Sequence, residues 1–147
     1  MKKYIYISFA LAIFLFLSAE KSFACSCMVT SEPLKKQVEN AYSEAETVLS
    51  GEVVEIKDSP TDKYRVIVKF KVDKSWKGAA TQEITITTEK DSAMCGFNFE
   101  TGKTYLVYAF GKKDELATNN CSRTSSFSQN GDLKYLDKLK RKKKPLK

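Results

Sequence analysis

The sequence predicts a mostly β fold: a five-stranded Greek-key OB-fold barrel with an N-terminal helix, a short C-terminal helix and two disulfides. Three observations carry this. Five apolar stretches of strand length, the second with a sustained period of two, follow one another between residues 47 and 119. Helical spacing of apolar residues appears just before them and just after them. Four cysteines stand in a chain that opens on an export-type leader, which reads as a disulfide framework. A two-sheet sandwich needs about seven strands; five suit a small barrel.

In chain order, Lys2 and Lys3 form a positive start and Tyr4 to Leu17 is almost wholly apolar. Ser22-Phe23-Ala24 then puts small residues at both positions that a signal peptidase reads before a cut between Ala24 and Cys25. Residues 1–24 are thus expected to be a signal peptide, since the apolar run is short for a membrane span of about 20 residues. Lipid attachment at Cys25 and an uncleaved anchor are the alternatives; Ser22 stands where lipid-attachment sites want an aliphatic residue. The expected location is secreted or extracellular, with the periplasm or a cell surface as variants.

The folded domain is expected over residues 25–137. Pro33 suits the first turn of a helix, capped by Thr30 or Ser31. Leu34, Val38, Ala41 or Tyr42, and Ala45 recur at helical spacing, which predicts a helix over 33–45. Thr47 to Ile56 reads as a strand with Gly51 as a bulge or close-packing point. Asp58 to Asp62 is a turn by composition. In the next strand Tyr64, Val66, Val68, Phe70 and Val72 alternate with mostly polar residues, so one face is buried. Trp76-Lys77-Gly78 ends it, with Trp76 a core or rim residue. Gln82 to Glu89 is a third strand with Ile84 and Ile86 on one face, and Thr104 to Phe110 a fourth, apolar on both faces, with Tyr105 and Tyr108 as barrel packing. Leu116 to Asn119 is a short fifth. Residues 122–131 read as a loop, and Asp132 as the cap of a short helix carrying Leu133, Leu136 and Leu139.

The formal charge is +7. The leader holds three lysines against one glutamate, while residues 138–147 hold seven Lys or Arg and no acid. The basicity therefore belongs to the tail, which reads as disordered, and the folded body is slightly acidic. The chain has no histidine. That removes Ser/His and Cys/His catalysis, and Cys25-Ser26-Cys27 is not the Cys-x-x-Cys redox spacing, so an enzyme is not expected. With no Cys-x2-Cys pair either, a structural zinc is a poor reading, and no cofactor is expected.

The four cysteines, Cys25, Cys27, Cys95 and Cys121, allow three pairings. A Cys25–Cys27 bridge closes a very tight ring and is discounted. Both other pairings tie the chain end to the two distant cysteines, and each bridge then closes a loop worth about 4 kcal/mol in the chain-entropy model. A cut after Ala24 also gives that end a chemistry. The α-amino group of Cys25, with a pKa near ~8, and its own carbonyl oxygen form a five-membered chelate for a metal. A catalytic zinc keeps one position open, and a clamped chain end can fill it with little ordering cost.

Cys25-Ser26-Cys27, Ala45-Glu46-Thr47-Val48 with Gly51-Glu52-Val53, Trp76-Lys77-Gly78, Ser92-Ala93-Met94-Cys95-Gly96, Gly102 to Tyr108, and Cys121 form an ordered set covering the chain to about residue 123. In this it resembles the tissue inhibitors of metalloproteinases and, more broadly, the netrin-like domain. The resemblance implies an OB-type barrel with bridges Cys25–Cys95 and Cys27–Cys121. It implies that the Cys25 amine and carbonyl chelate the catalytic zinc of a target metalloprotease, with Ser26 pointing into the pocket beside the metal. It implies a contact ridge of Met28, Val29, Ser92, Ala93 and Met94 around that end. The turn at Asp58 to Asp62 is short, so the long strand-connecting loop that could reach along a protease cleft is missing.

The function expected is a secreted metalloprotease inhibitor acting as a monomer. The alternative is a netrin-like binding module at a cell surface or in a matrix, with the tail Lys138 to Lys147 attracting a polyanionic surface. Nucleic acid is a poor partner, because Tyr64 and Phe70 fall on the apolar face rather than among exposed basic residues.

Overall fold

The computed structural model describes residues 25–78, 81–112, 114–129 and 131–143. The leader and its Ala24–Cys25 cut, and the tail beyond Lys143, lie outside the described residues. Helix α1 spans Leu34–Glu44, followed by β1 (Thr47–Asp58), β2 (Arg65–Lys77), β3 (Glu83–Glu89), β4 (Thr104–Lys112), β5 (Glu115–Ala117), β6 (Ser125–Ser126) and helix α2 (Leu133–Lys143). Short 3-10 turns cover Ser92–Met94 and Phe127–Gln129.

The strands pair in the order β1-β2-β3-β5-β4, and β4 returns to β1, which closes a five-stranded barrel. Every pairing in it is antiparallel except β3 with β5, where Thr87 faces Ala117. Closure leaves the barrel strands without the open edges that invite unwanted pairing. β6 adds two residues to the outside of this circuit, opposite Tyr105 and Leu106. Gly51 is the close-packing point expected. A Cβ there meets the Lys71 carbonyl oxygen at 2.7 Å, and the β1–β2 register shifts between Ser50 and Gly51.

The two faces of β1 and β4 feed two cores. Inside the barrel lie Leu49, Val53, Val68, Phe70, Ile86, Tyr105, Val107, Ala109 and Leu116. Outside it, Val48, Leu106 and Tyr108 pack with Val38, Tyr42 and Ala45, with Trp76, and with Leu136 of α2. This explains why β4 is apolar on both faces: one fills the barrel, the other seats the helices. Phe97 and Phe99 close the interior core with edge-on contacts to Tyr105, and Phe99 also to Phe70.

Several expectations change. Pro33 is the N-cap residue rather than a first-turn residue, and no side chain caps α1. Thr30 instead accepts a hydrogen bond from the Glu32 amide, and the Pro33 carbonyl takes the Lys36 and Gln37 amides. Tyr64 lies before β2 and is exposed, with the Lys63 ammonium over its ring, because the chain there has passed the end of the barrel. The stretch read as the loop 122–131 contains β6 and a 3-10 turn. Helix α2 runs on to Lys143, past the expected boundary at 137. Leu139 packs against the outer core and Lys140 Nζ donates to the Ser75 carbonyl, so these tail residues belong to the fold.

Candidate functional site

The site is built on two loops that present Cys95 and Cys121. After β3, Asp91 starts a 3-10 turn: its carboxylate accepts from the Ala93 amide at 2.8 Å, and its carbonyl accepts from Met94 and Gly96. Cys95 ends the turn in the left-handed conformation, φ 65°. Gly96 then runs so close to the end of β3 that a Cβ would stand 2.0 Å from the Glu89 carbonyl oxygen. The lip Ser92-Ala93-Met94 is therefore set by backbone geometry. On the other side, the Asn119 carboxamide oxygen accepts from the amides of Cys121 and Ser122 at 3.0 and 2.7 Å. The Asn120 amide joins the two loops by donating to the Cys95 carbonyl.

Two disulfides, Cys25–Cys95 and Cys27–Cys121, fasten the chain end to these loops. They are the pair that the resemblance implies, and they place the fold in an oxidising compartment. The bridges lie side by side, with Cys25 Sγ 3.8 Å from Cys121 Sγ. The sulfurs of Cys25, Cys27 and Cys121 all lie within 4.8 Å of one another. All four cysteines are spent in disulfides, so none offers a thiolate to a metal. Ser26 is exposed between its bonded neighbours, and Met28 and Val29 are 99% and 98% exposed. The bridges thus bring Cys25 to Cys27 and the lip Ser92 to Met94 onto one surface. Met28 and Val29 join it only by following Cys27 in the chain.

Clefts flank this surface. One, of about 280 Å³, is lined by Ala41, Glu44, Tyr108, Phe110, Cys121 and Arg123 among others. The second, of about 240 Å³, includes Met94, Cys95, Thr118 and Asn119, and Phe110 belongs to both. Phe110, at the end of β4, is 39% exposed. Its position at the end of the fourth predicted strand is legible in the sequence; its place beside the bridges is not.

Behind Cys121 lies a polar anchor that the sequence reading passed over. Arg123 donates to both carboxylate oxygens of Asp132, at 2.8 and 2.7 Å, and to Gln37 of α1. The Tyr108 hydroxyl donates to the same carboxylate at 2.9 Å. Burial pushes the Tyr108 hydroxyl well above its ordinary range, and the adjacent Asp132 adds to this. The Arg123 guanidinium is raised by its hydrogen bond to Asp132. A fork of this kind on a carboxylate that is 2% exposed is a strong, directional contact. It holds the loop after Cys121 to both helices. The signal available was a lone arginine in a polar loop followed by an aspartate read as a helix cap.

Among the described residues, no helix is long and apolar enough to cross a membrane. No protein-family model matches this chain, and no curated protein sequence matches it.

Proposed function

We propose that this protein is an exported inhibitor of zinc metalloendopeptidases of the tissue-inhibitor type, acting through the amine and carbonyl of Cys25. The observation that carries this is the clamp. The residues Cys25-Ser26-Cys27 are bonded at both ends to a closed barrel, with the Ser92 to Met94 lip beside them and exposed Met28 and Val29 leading away. An end held in this way loses little conformational freedom on binding. Ser26 is exposed and lies next to the atoms that would meet the metal. The zinc belongs to the partner; this chain supplies two ligand atoms and a wall.

The mechanism depends on a free amine at Cys25, which makes the test simple. Protein beginning at Cys25 is compared with protein carrying one added alanine, against a panel of zinc proteases. Inhibition is expected from the first form and a loss of at least about a hundredfold from the second, because the added residue displaces the chelating amine. Equal inhibition by both forms would end the proposal.

A second reading, a netrin-like module that binds a polyanionic surface, is favoured by one observation. On α2, Lys134, Lys138, Lys140 and Arg141 are exposed, and the acidic residue among them, Asp137, is already paired with Lys74.

A further inference from the structure

The closeness of the two bridges has a chemical consequence independent of any protease. Cys27 and Cys121 are exposed, whereas Cys25 and Cys95 are partly covered. An external thiolate therefore reaches the Cys27–Cys121 bridge first. When it attacks Cys27 Sγ, the bond to Cys121 breaks and Cys121 leaves as a thiolate. That thiolate is generated 3.8 Å from Cys25 Sγ, which is itself part of a disulfide. Its local concentration there far exceeds that of any dissolved thiol.

We propose that the paired bridges form a thiol–disulfide exchange site for an external dithiol, with Cys27 as the entry sulfur and Cys121 as the internal nucleophile. In the first step the dithiol bonds to Cys27 Sγ, and Cys121 takes the electron pair of the broken bond. In the second, Cys121 attacks Cys25 Sγ, a Cys25–Cys121 disulfide forms, and Cys95 leaves as a thiolate. In the third, the remaining thiol of the dithiol attacks its own sulfur in the mixed disulfide and frees Cys27. The dithiol ends as a cyclic disulfide, having given two electrons. The protein ends with one bridge, Cys25–Cys121, and thiols at Cys27 and Cys95.

This product leaves the chain end tied to the loop that the Arg123–Asp132 anchor holds. The attack by Cys27 on Cys25 is ruled out as a competing route by the tight ring it would close. The exchange separates the lip Ser92 to Met94 from the chain end while the barrel stays closed. The surface around Cys25 is thereby made responsive to the thiol balance of its surroundings.

The test is limited reduction of the mature protein with dithiothreitol in native buffer, acid quenching, alkylation and peptide mapping of the two-thiol species. Label at Cys27 and Cys95 with a Cys25–Cys121 bridge is expected to predominate severalfold over either native single-bridge form. Two-thiol species labelled only at Cys27 and Cys121, or only at Cys25 and Cys95, would overturn the proposal. So would an isomer that appears only in denaturant, together with Cys25–Cys27. Cys27→Ser gives a second readout, because it leaves Cys121 free beside the Cys25–Cys95 bridge. Transfer of the free thiol from Cys121 to Cys95 is expected, and a thiol that stays on Cys121 would count against the exchange.

Discussion

At the scale of single residues, Gly96 beside the site and Gly102 ahead of β4 separate two kinds of constraint. Gly96 has backbone on its missing side: a Cβ would stand 2.0 Å from the Glu89 carbonyl oxygen and 2.9 Å from that of Asp91. The first cannot move without shifting the end of β3, nor the second without opening the turn that follows it. Gly102, at φ +80°, has nothing within 4 Å of a built Cβ, so only the left-handed backbone penalises a side chain there. Gly96→Ala is therefore expected to cost about 3 kcal/mol, and Gly102→Ala about 1 kcal/mol. Thermal unfolding of the two variants checks this, and the same loss for both would show that close approach at Gly96 is not what matters. The Cys95-Gly96 pair was visible in the sequence as a motif, but the reason for its glycine was not, because it depends on how near β3 passes. The Arg123–Asp132 fork was hidden for the same reason. Each residue taken alone is ordinary for a loop, and only the fold shows that they meet on a buried carboxylate.

Among the elements, the strands were the most legible, since alternation reports a half-buried surface directly. Helix α2 was legible only in part: Leu133, Leu136 and Leu139 announced it, but its run of lysines hid that it continues to Lys143. What fixes it is a cluster around Asp137. The Asp137 carboxylate accepts from Trp76 Nε1 at 2.6 Å and from Lys74 Nζ at 2.7 Å. Helix α1 is fastened at its other end by Lys77, whose ammonium donates to the carbonyls of Tyr42, Ser43 and Ala45, where the helix dipole favours a cation. The hydrogen bond from Lys74, then that from Trp76, hold the Asp137 carboxyl below the usual carboxylate range. A depressed folded pKa means stability that is present above the unfolded value, about 3.9, and lost as pH falls through the folded value. Acid is thus expected to loosen α2 from β2. Trp76 is the only tryptophan, so its fluorescence reports this undocking in isolation. The wild type should show a spectral change at the acid end that Asp137→Asn lacks, the variant resembling the undocked state throughout. An unchanged acid transition in the variant would place its origin elsewhere.

On the scale of the whole molecule, closure and charge are separate designs. The barrel closes through β1 and β4, register Thr47 to Ala109 through Glu52 to Thr104, which needs neither disulfide. That is why its class could be read from alternation and strand number, while the cysteine pairing needed a resemblance to narrow it. Charge follows a different logic. Of the +7 total, the excess lies from Lys138 onward. Helix α2 gathers part of that excess onto a fixed scaffold: Lys134, Lys138 and Arg141 are exposed and spaced three or four apart, so they share a face. Its apolar face is already occupied, with Leu136 fully buried, so α2 has no hydrophobic stripe left to insert into a bilayer. Contact with an anionic surface would have to be electrostatic, and it should weaken as salt shortens the Debye length to about 10 Å at 0.1 M. The binding-module reading then predicts that the full mature protein sediments with phosphatidylserine vesicles at low salt and not with neutral ones. The triple change Lys134→Glu, Lys138→Glu and Arg141→Glu should abolish sedimentation and leave the Trp76 spectrum at neutral pH unchanged, because the hydrogen bonds from Trp76 and Lys74 to the Asp137 carboxylate are kept and Arg141 reaches Asp137 only at its backbone carbonyl and through its charge. Sedimentation that survives both the triple change and added salt would rule out the α2 face as its source.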